Sequence, residues 1–117
     1  FKMSWSRVQF DREEIVACEN IGTLDITVSR SGNLDQSSFV GVSIREMSAK
    51  KGVDFVASTS KQVQFNPGEA RATWQLTIVD EGVLEPNKKL RLTLIDPVNT
   101  ILGDNRKLRV VIINAEN

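Results

Sequence analysis

A chain of 117 residues with 40% hydrophobic and 26% charged side chains fits one domain with its own core. Fifteen Lys and Arg balance fifteen Asp and Glu, so no net charge selects nucleic acid or an anionic membrane, and no apolar run is long enough to insert in a bilayer. With no histidine and one cysteine, Cys18, the chain lacks Ser-His-Asp and Cys-His catalytic sets, an internal disulfide and a cysteine-rich zinc site.

The opening Phe1-Lys2-Met3-Ser4-Trp5 has no signal-peptide layout, and residues 1–117 read as a single domain that is a fragment of a larger protein. Trp5 precedes the first strand and reads as a partly exposed cover. Short strands are expected at 6–10 and 14–18. Cys18 follows Ile15-Val16-Ala17 and reads as a small buried hydrophobe, with no Lys, Arg or His beside it to lower its pKa. At 23–30, Leu24, Ile26 and Val28 alternate with Thr23, Asp25, Thr27 and Ser29, the period of a strand with one apolar face. Ser31-Gly32-Asn33 marks a turn. Val40, Val42 and Ile44 carry the same rhythm through 38–46, and 47–52 has room for one helical turn.

A strand at 60–65 runs into Asn66-Pro67-Gly68-Glu69, whose Pro and Gly supply turn geometry. Ala72, Trp74, Leu76 and Ile78 alternate along 71–79, with Trp74 as the largest expected core anchor. Glu81-Gly82 and Glu85-Pro86-Asn87 interrupt the next connection. Leu90, Leu92 and Leu94 alternate along 88–95. After Gly103-Asp104-Asn105, the strand at 107–114 contains Val110-Val111-Ile112-Ile113 and should be covered on both faces. Strands apolar on one face must place that face on another sheet. The expected fold is therefore an all-β, antiparallel β-sandwich of seven to eight strands.

Charged groups outside that pattern read mostly as solvated surface. Asp11, Glu13 and Glu14 lie beside a first-strand kink. Arg45, Lys50, Lys51 and Lys61 would form a basic patch for a heparin-like polyanion if the third and fourth strands lie side by side, although Glu46 interleaves. The plainer reading of these residues, and of Lys88, Lys89 and Arg91, is charge that blocks edge pairing. Carboxylates such as Asp80 and Glu85 have no nucleophile, oxyanion hole or cofactor site beside them. The chain reads as no enzyme, with no catalytic or cofactor-binding residues. No Asn-x-Ser/Thr sequon occurs.

Four segments resemble the Calx-beta family. Cys18-Glu19-Asn20-Ile21-Gly22-Thr23 with the strand to Arg30-Ser31-Gly32 resembles its E-N-x-G-T … V-x-R-x-G opening. Gly52-Val53-Asp54-Phe55 resembles G-x-D-[YF], and Val63-Gln64-Phe65-Asn66-Pro67-Gly68-Glu69 resembles V-x-F-x-P-G-E. Ile78-Val79-Asp80-Glu81 with Glu85 and Leu90 resembles I-x-D-D-x-x-x-E … F-x-x-x-L. These motifs occur in the family's order over nearly the whole chain.

The resemblance implies an immunoglobulin-like sandwich with a calcium site at one end, formed by inter-strand loops and the chain exit. The matching acids are Glu19, Asp54, Asp80, Glu81, Glu85 and Glu116. Calcium takes about six to eight hard oxygen ligands, and a divalent cation relieves repulsion among crowded carboxylates. The chain departs from the pattern where it matters. Gly82 and Lys88 replace acids, and Asn114 and Ala115 replace two acids of the terminal cluster, although Asn114 retains a neutral oxygen. At most one weak site is expected, of roughly 0.1–1 mM affinity; the same acids also read as ordinary solvated loop residues. The resemblance further implies an interaction and spacer module of a large extracellular matrix or cell-adhesion protein, nearest the Fras-related group, in the matrix or basement membrane. Its partners would be other protein domains or matrix proteins. The alternative is a regulatory calcium sensor of the sodium/calcium-exchanger type. The parent protein and oligomeric state are left open.

Overall fold

The structure is a computed structural model that describes residues 5–58, 60–82 and 84–114. Ten strands occur among them: β1 (Ser6–Phe10), β2 (Glu14–Cys18), β3 (Thr23–Gly32), β4 (Ser38–Glu46), β5 (Phe55–Ala57), β6 (Gln62–Phe65), β7 (Arg71–Ile78), β8 (Lys88–Val98), β9 (Ile101–Leu102) and β10 (Lys107–Ile113). They form two five-stranded sheets, ordered β5-β7-β3-β1-β9 and β2-β10-β8-β4-β6. The eight expected strands are all present. β5 and β9 raise the count to ten because strands of two or three residues are too short to carry a periodic signal. Two parallel pairings, β1 with β9 and β10 with β2, interrupt the antiparallel pattern.

The alternation read from sequence supplies the core. Ile26 and Val28, Val40 and Val42, Trp74, Leu76 and Ile78, and Leu90, Leu92 and Leu94 are all buried between the sheets. Burial of apolar surface at about 25 cal/mol per Å² is what holds the two layers together. The first segment changes sheet between β1 and β2. Asn105 fixes that crossing by donating from Nδ2 to the carbonyls of Phe10 (3.1 Å) and Arg12 (2.9 Å).

The pole opposite the candidate site is organised by Arg30. It occupies the inward position that follows Ile26 and Val28 in β3 and is only 3% exposed. Its guanidinium donates to the carbonyls of Glu69, Gln36, Leu34 and Asn66 and to Ser38 Oγ, and lies 5.2 Å from the Phe65 ring centroid. Five donors meeting five acceptors offset the desolvation of a buried cation. The turn below it needs glycine. Glu69 N–H donates to Asn66 O at 3.0 Å, with Gly68 at φ 84° after Pro67, as a type II turn requires. Gly32, at φ 90°, lies where a Cβ would come within 2.9 Å of Trp5 O.

Several expectations are corrected. Residues 47–52 form bends and turns, with no helix. Cys18 is exposed: Ile15 and Ala17 take the inward positions of β2, so Glu14, Val16 and Cys18 point out. β8 is the central strand of its sheet, so Lys88, Lys89 and Arg91 guard no edge. β3 and β4 lie in different sheets, so the condition for the patch of Arg45 with Lys50, Lys51 and Lys61 is not met. Trp74 is 3% exposed and donates its indole N–H to Ser60 O at 2.8 Å. It belongs to the buried core as expected, while Phe10, Phe55 and Phe65 are the largest fully enclosed side chains. Trp5 is 51% exposed, as a cover should be. The last strand, β10, runs between β2 and β8, and Val111 is buried even though Val110 and Ile112 take the core side.

Candidate metal centre

Three carboxylates from two loops converge at one pole of the sandwich. Asp54 ends the β4–β5 connection, and Glu81 and Glu85 lie in the β7–β8 connection. One carboxylate oxygen from each lies within 4.8 Å of the others. Sequence separation is overcome by backbone pairing: Val79 N–H donates to Asp54 O at 3.0 Å, joining the two loops beside the cluster.

Asp54 is the fixed member. It is buried, and its Oδ2 accepts from Lys50 N–H at 2.7 Å while its own N–H donates to Lys50 O at 2.8 Å. Glu81 is exposed, yet its carboxyl is pushed above its ordinary value. The hydrogen bond to Asp54 is the largest cause, followed by desolvation and by repulsion from Glu85 and Asp54; Lys88 opposes the shift. The upward direction is the one expected where carboxylates crowd, because losing the proton adds a negative charge beside others.

Two residues dilute the cluster. Lys88 Nζ lies 3.9 Å from Glu85 Oε1, placing a cation against a prospective ligand. Asn114 is committed to structure: its Oδ1 accepts from Glu85 N–H at 3.2 Å and its Nδ2 donates to Glu85 O. The reciprocal pair pins the β7–β8 connection to the end of β10, so the side-chain oxygen expected as a neutral ligand already has a partner.

The remaining expected ligands are placed as follows. Glu19 is buried and lines a hollow of about 10 Å³ with Asp54, Glu85, Lys88 and Asn114, on the order of one water-sized sphere. Asp80 is exposed, and its Oδ1 accepts from Gly82 N–H at 3.0 Å, a local turn outside the carboxylate trio. Glu116 lies outside the described residues. Sequence reasoning gave Arg30 no role of its own. Its signal was a charged residue at the inward beat of an otherwise apolar alternation.

The donor set is all carboxylate oxygen, which suits a hard cation such as calcium and offers nothing to a soft metal. Three such groups fall short of the six to eight ligands that calcium takes, so water or carbonyl oxygens would have to complete the shell.

Comparison with known proteins gives a consistent pattern. The Calx-beta domain family model matches residues 4–116. FRAS1-related extracellular matrix protein 1 of Homo sapiens is 33% identical over 115 residues, 98% of this chain and 5% of that protein. FRAS1-related extracellular matrix protein 2 of Homo sapiens is 36% identical over 98 residues, 84% of this chain and 3% of that protein. The chain therefore spans only a few hundredths of the length of these relatives. Among solved structures, the apo-form Calx CBD1 domain superposes with a TM-score of 0.87 at 22% identity, covering 96% of this chain and 99% of that one. At that identity the likeness speaks for the fold.

Proposed function

The chain belongs to the Calx-beta domain family, a family of non-catalytic modules, and from that premise we propose that it serves as an interaction and spacer module of a large extracellular matrix or cell-adhesion protein, with at most one weak calcium site at one pole. The matrix placement is drawn from the relatives, which are extracellular matrix proteins by name. The observation that carries the reading of the pole is the contact of Lys88 Nζ with Glu85 Oε1 at 3.9 Å within the carboxylate cluster. A sensor needs a dense set of acids, whereas a spacer needs only a stiff end.

Asp54, Glu81 and Glu85 would hold the ion, with Glu19 beside them; Asp80 and Glu116 complete the acids proposed for this pole. Calcium there would displace the ammonium of Lys88, tie the β4–β5 and β7–β8 connections together, and stiffen that end. Isothermal titration of calcium-stripped protein tests the reading. One site of roughly millimolar affinity, or none, is expected, and Lys88→Gln should strengthen any binding several-fold by removing the competing cation. Submicromolar binding at several sites would replace the spacer with a regulatory sensor like the exchanger domains.

A further inference from the structure

Basic residues far apart in sequence meet on the outer face of the sheet β2-β10-β8-β4-β6. The register puts Arg45 opposite Arg91, Arg91 opposite Arg109 and Arg109 opposite Glu14. Three arginines thus cross three adjacent strands in one row, with neighbouring strands roughly 4.8 Å apart. Lys107 lies opposite Thr93 on one side of this row, and Lys89 opposite Val111 on the other. Buried Leu90, Leu92, Leu108 and Val110 occupy the alternate, core-facing positions, which turns the five cations outward.

Little on this face compensates them. Like charges directly opposite one another destabilise a sheet. Glu14 answers one, accepting from Arg109 Nε at 2.6 Å. Among the described residues Arg45, Lys89, Arg91 and Lys107 form no ion pair. Glu46, next to Arg45 in sequence, occupies the opposite alternation position, and its Oε1 accepts from Lys51 N–H at 3.1 Å. Glu13 and Asp104 border a hollow shared with Arg91, Lys107 and Arg109, but they belong to the turns before β2 and β10, off the row.

We propose that this face docks a sulfated linear polysaccharide of the heparan sulfate class. A chain with equal numbers of acids and bases has gathered five cations against one acid on one sheet face, which is complementary to a polyanion. Arginine forks pair with oxyanions through two parallel hydrogen bonds and are weakly hydrated, so sulfates suit the row. No aromatic side chain stands among the cations, and a single-stranded nucleic acid would want such a stacking platform. The choice of this polyanion rests on the matrix placement proposed above; the charge geometry does not.

Chromatography and titration on heparin test the proposal. The 117-residue chain should bind at about 50 mM salt and lose roughly tenfold to a hundredfold in affinity by about 200 mM, as release of counterions from a few contacts requires. The triple variant Arg45→Ser, Arg91→Ser, Lys107→Ser should lose at least about tenfold. Lys50→Ser, Lys51→Ser, Lys61→Ser should bind as the unaltered chain does. Absence of binding at low salt, equal losses in the two triple variants, or tighter binding to duplex DNA or phosphatidylserine vesicles at the same salt would overturn the proposal. Should the arginine variant fail to fold, protection of Arg45 and Arg91 from phenylglyoxal by heparin in the unaltered chain decides the matter, and lack of protection overturns it. Calcium titration does not enter these readouts, so failure of the calcium reading and failure of this proposal are told apart by separate measurements.

Discussion

At the scale of single residues, Glu81 reports on the pole most directly. Its folded-state carboxyl is held above the ordinary value, first by the hydrogen bond to Asp54. The folded chain therefore keeps this proton at a pH where the unfolded chain has lost it. The stability it contributes is complete below the unfolded value of 4.5 and is lost as pH rises through the raised folded value. In calcium-free protein, Glu81→Gln should flatten the stability–pH curve above that point, measured by urea melts at a series of pH values. Identical slopes in the variant and the unaltered chain would mean that Glu81 and Asp54 do not share a proton. Asp54, Glu81 and Glu85 were legible in the sequence, because each stood in a recognisable segment. Their company was not: Asn114 and Glu85 are 29 residues apart, and only folding shows that the Asn amide is already spent on the loop backbone.

Strands were legible where alternation ran for several residues and illegible where it did not. β3, β4, β7 and β8 each repeat the apolar beat at least three times. β5 and β9 are too short to repeat it, and Cys18 was misread because apolar neighbours in sequence were weighed above strand parity. The same parity argument decides how much β7 depends on Trp74. Its ring lies with Leu76 and Ile78 on the core side, and its indole N–H is bonded to Ser60 O. Trp74→Ala should cost about 3–5 kcal/mol by leaving a cavity and an unpaired carbonyl. Denaturant melts that show a loss below ~1 kcal/mol would demote Trp74 from anchor to cover. Charge on strands followed another logic. Edge protection was the expectation for Lys88, Lys89 and Arg91, but β8 is the innermost strand of its sheet, and strand order is not written in any local segment.

For the whole molecule, calcium should act as a modest brace. If the ion binds at roughly 1 mM, about 5 mM calcium stabilises the fold by about 1 kcal/mol through mass action. That corresponds to a rise in Tm of about 3–6 °C for a chain of this size. Calorimetry with and without chelator measures it, and a rise above about 15 °C would require far tighter capture than three carboxylates and a competing lysine allow. The two poles also divide their tasks. Arg30 locks one pole with hydrogen bonds internal to the chain, whereas the other gathers three carboxylates beside Lys88. On the proposed reading, the first pole is finished by folding and the second would answer to a cation.

The sequence by itself determined the sandwich, the alternating core side chains of β3, β4, β7 and β8 and the segments that carry Asp54, Glu81 and Glu85, because alternation and turn chemistry are local and survive in one dimension. Only the tertiary structure decided which strands lie side by side. That order brought Asp54 to Glu81 and Glu85, committed Asn114 to a backbone, and aligned Arg45, Arg91 and Arg109 across one sheet. Long-range register depends on the packing of the whole core, and no short stretch of chain records it.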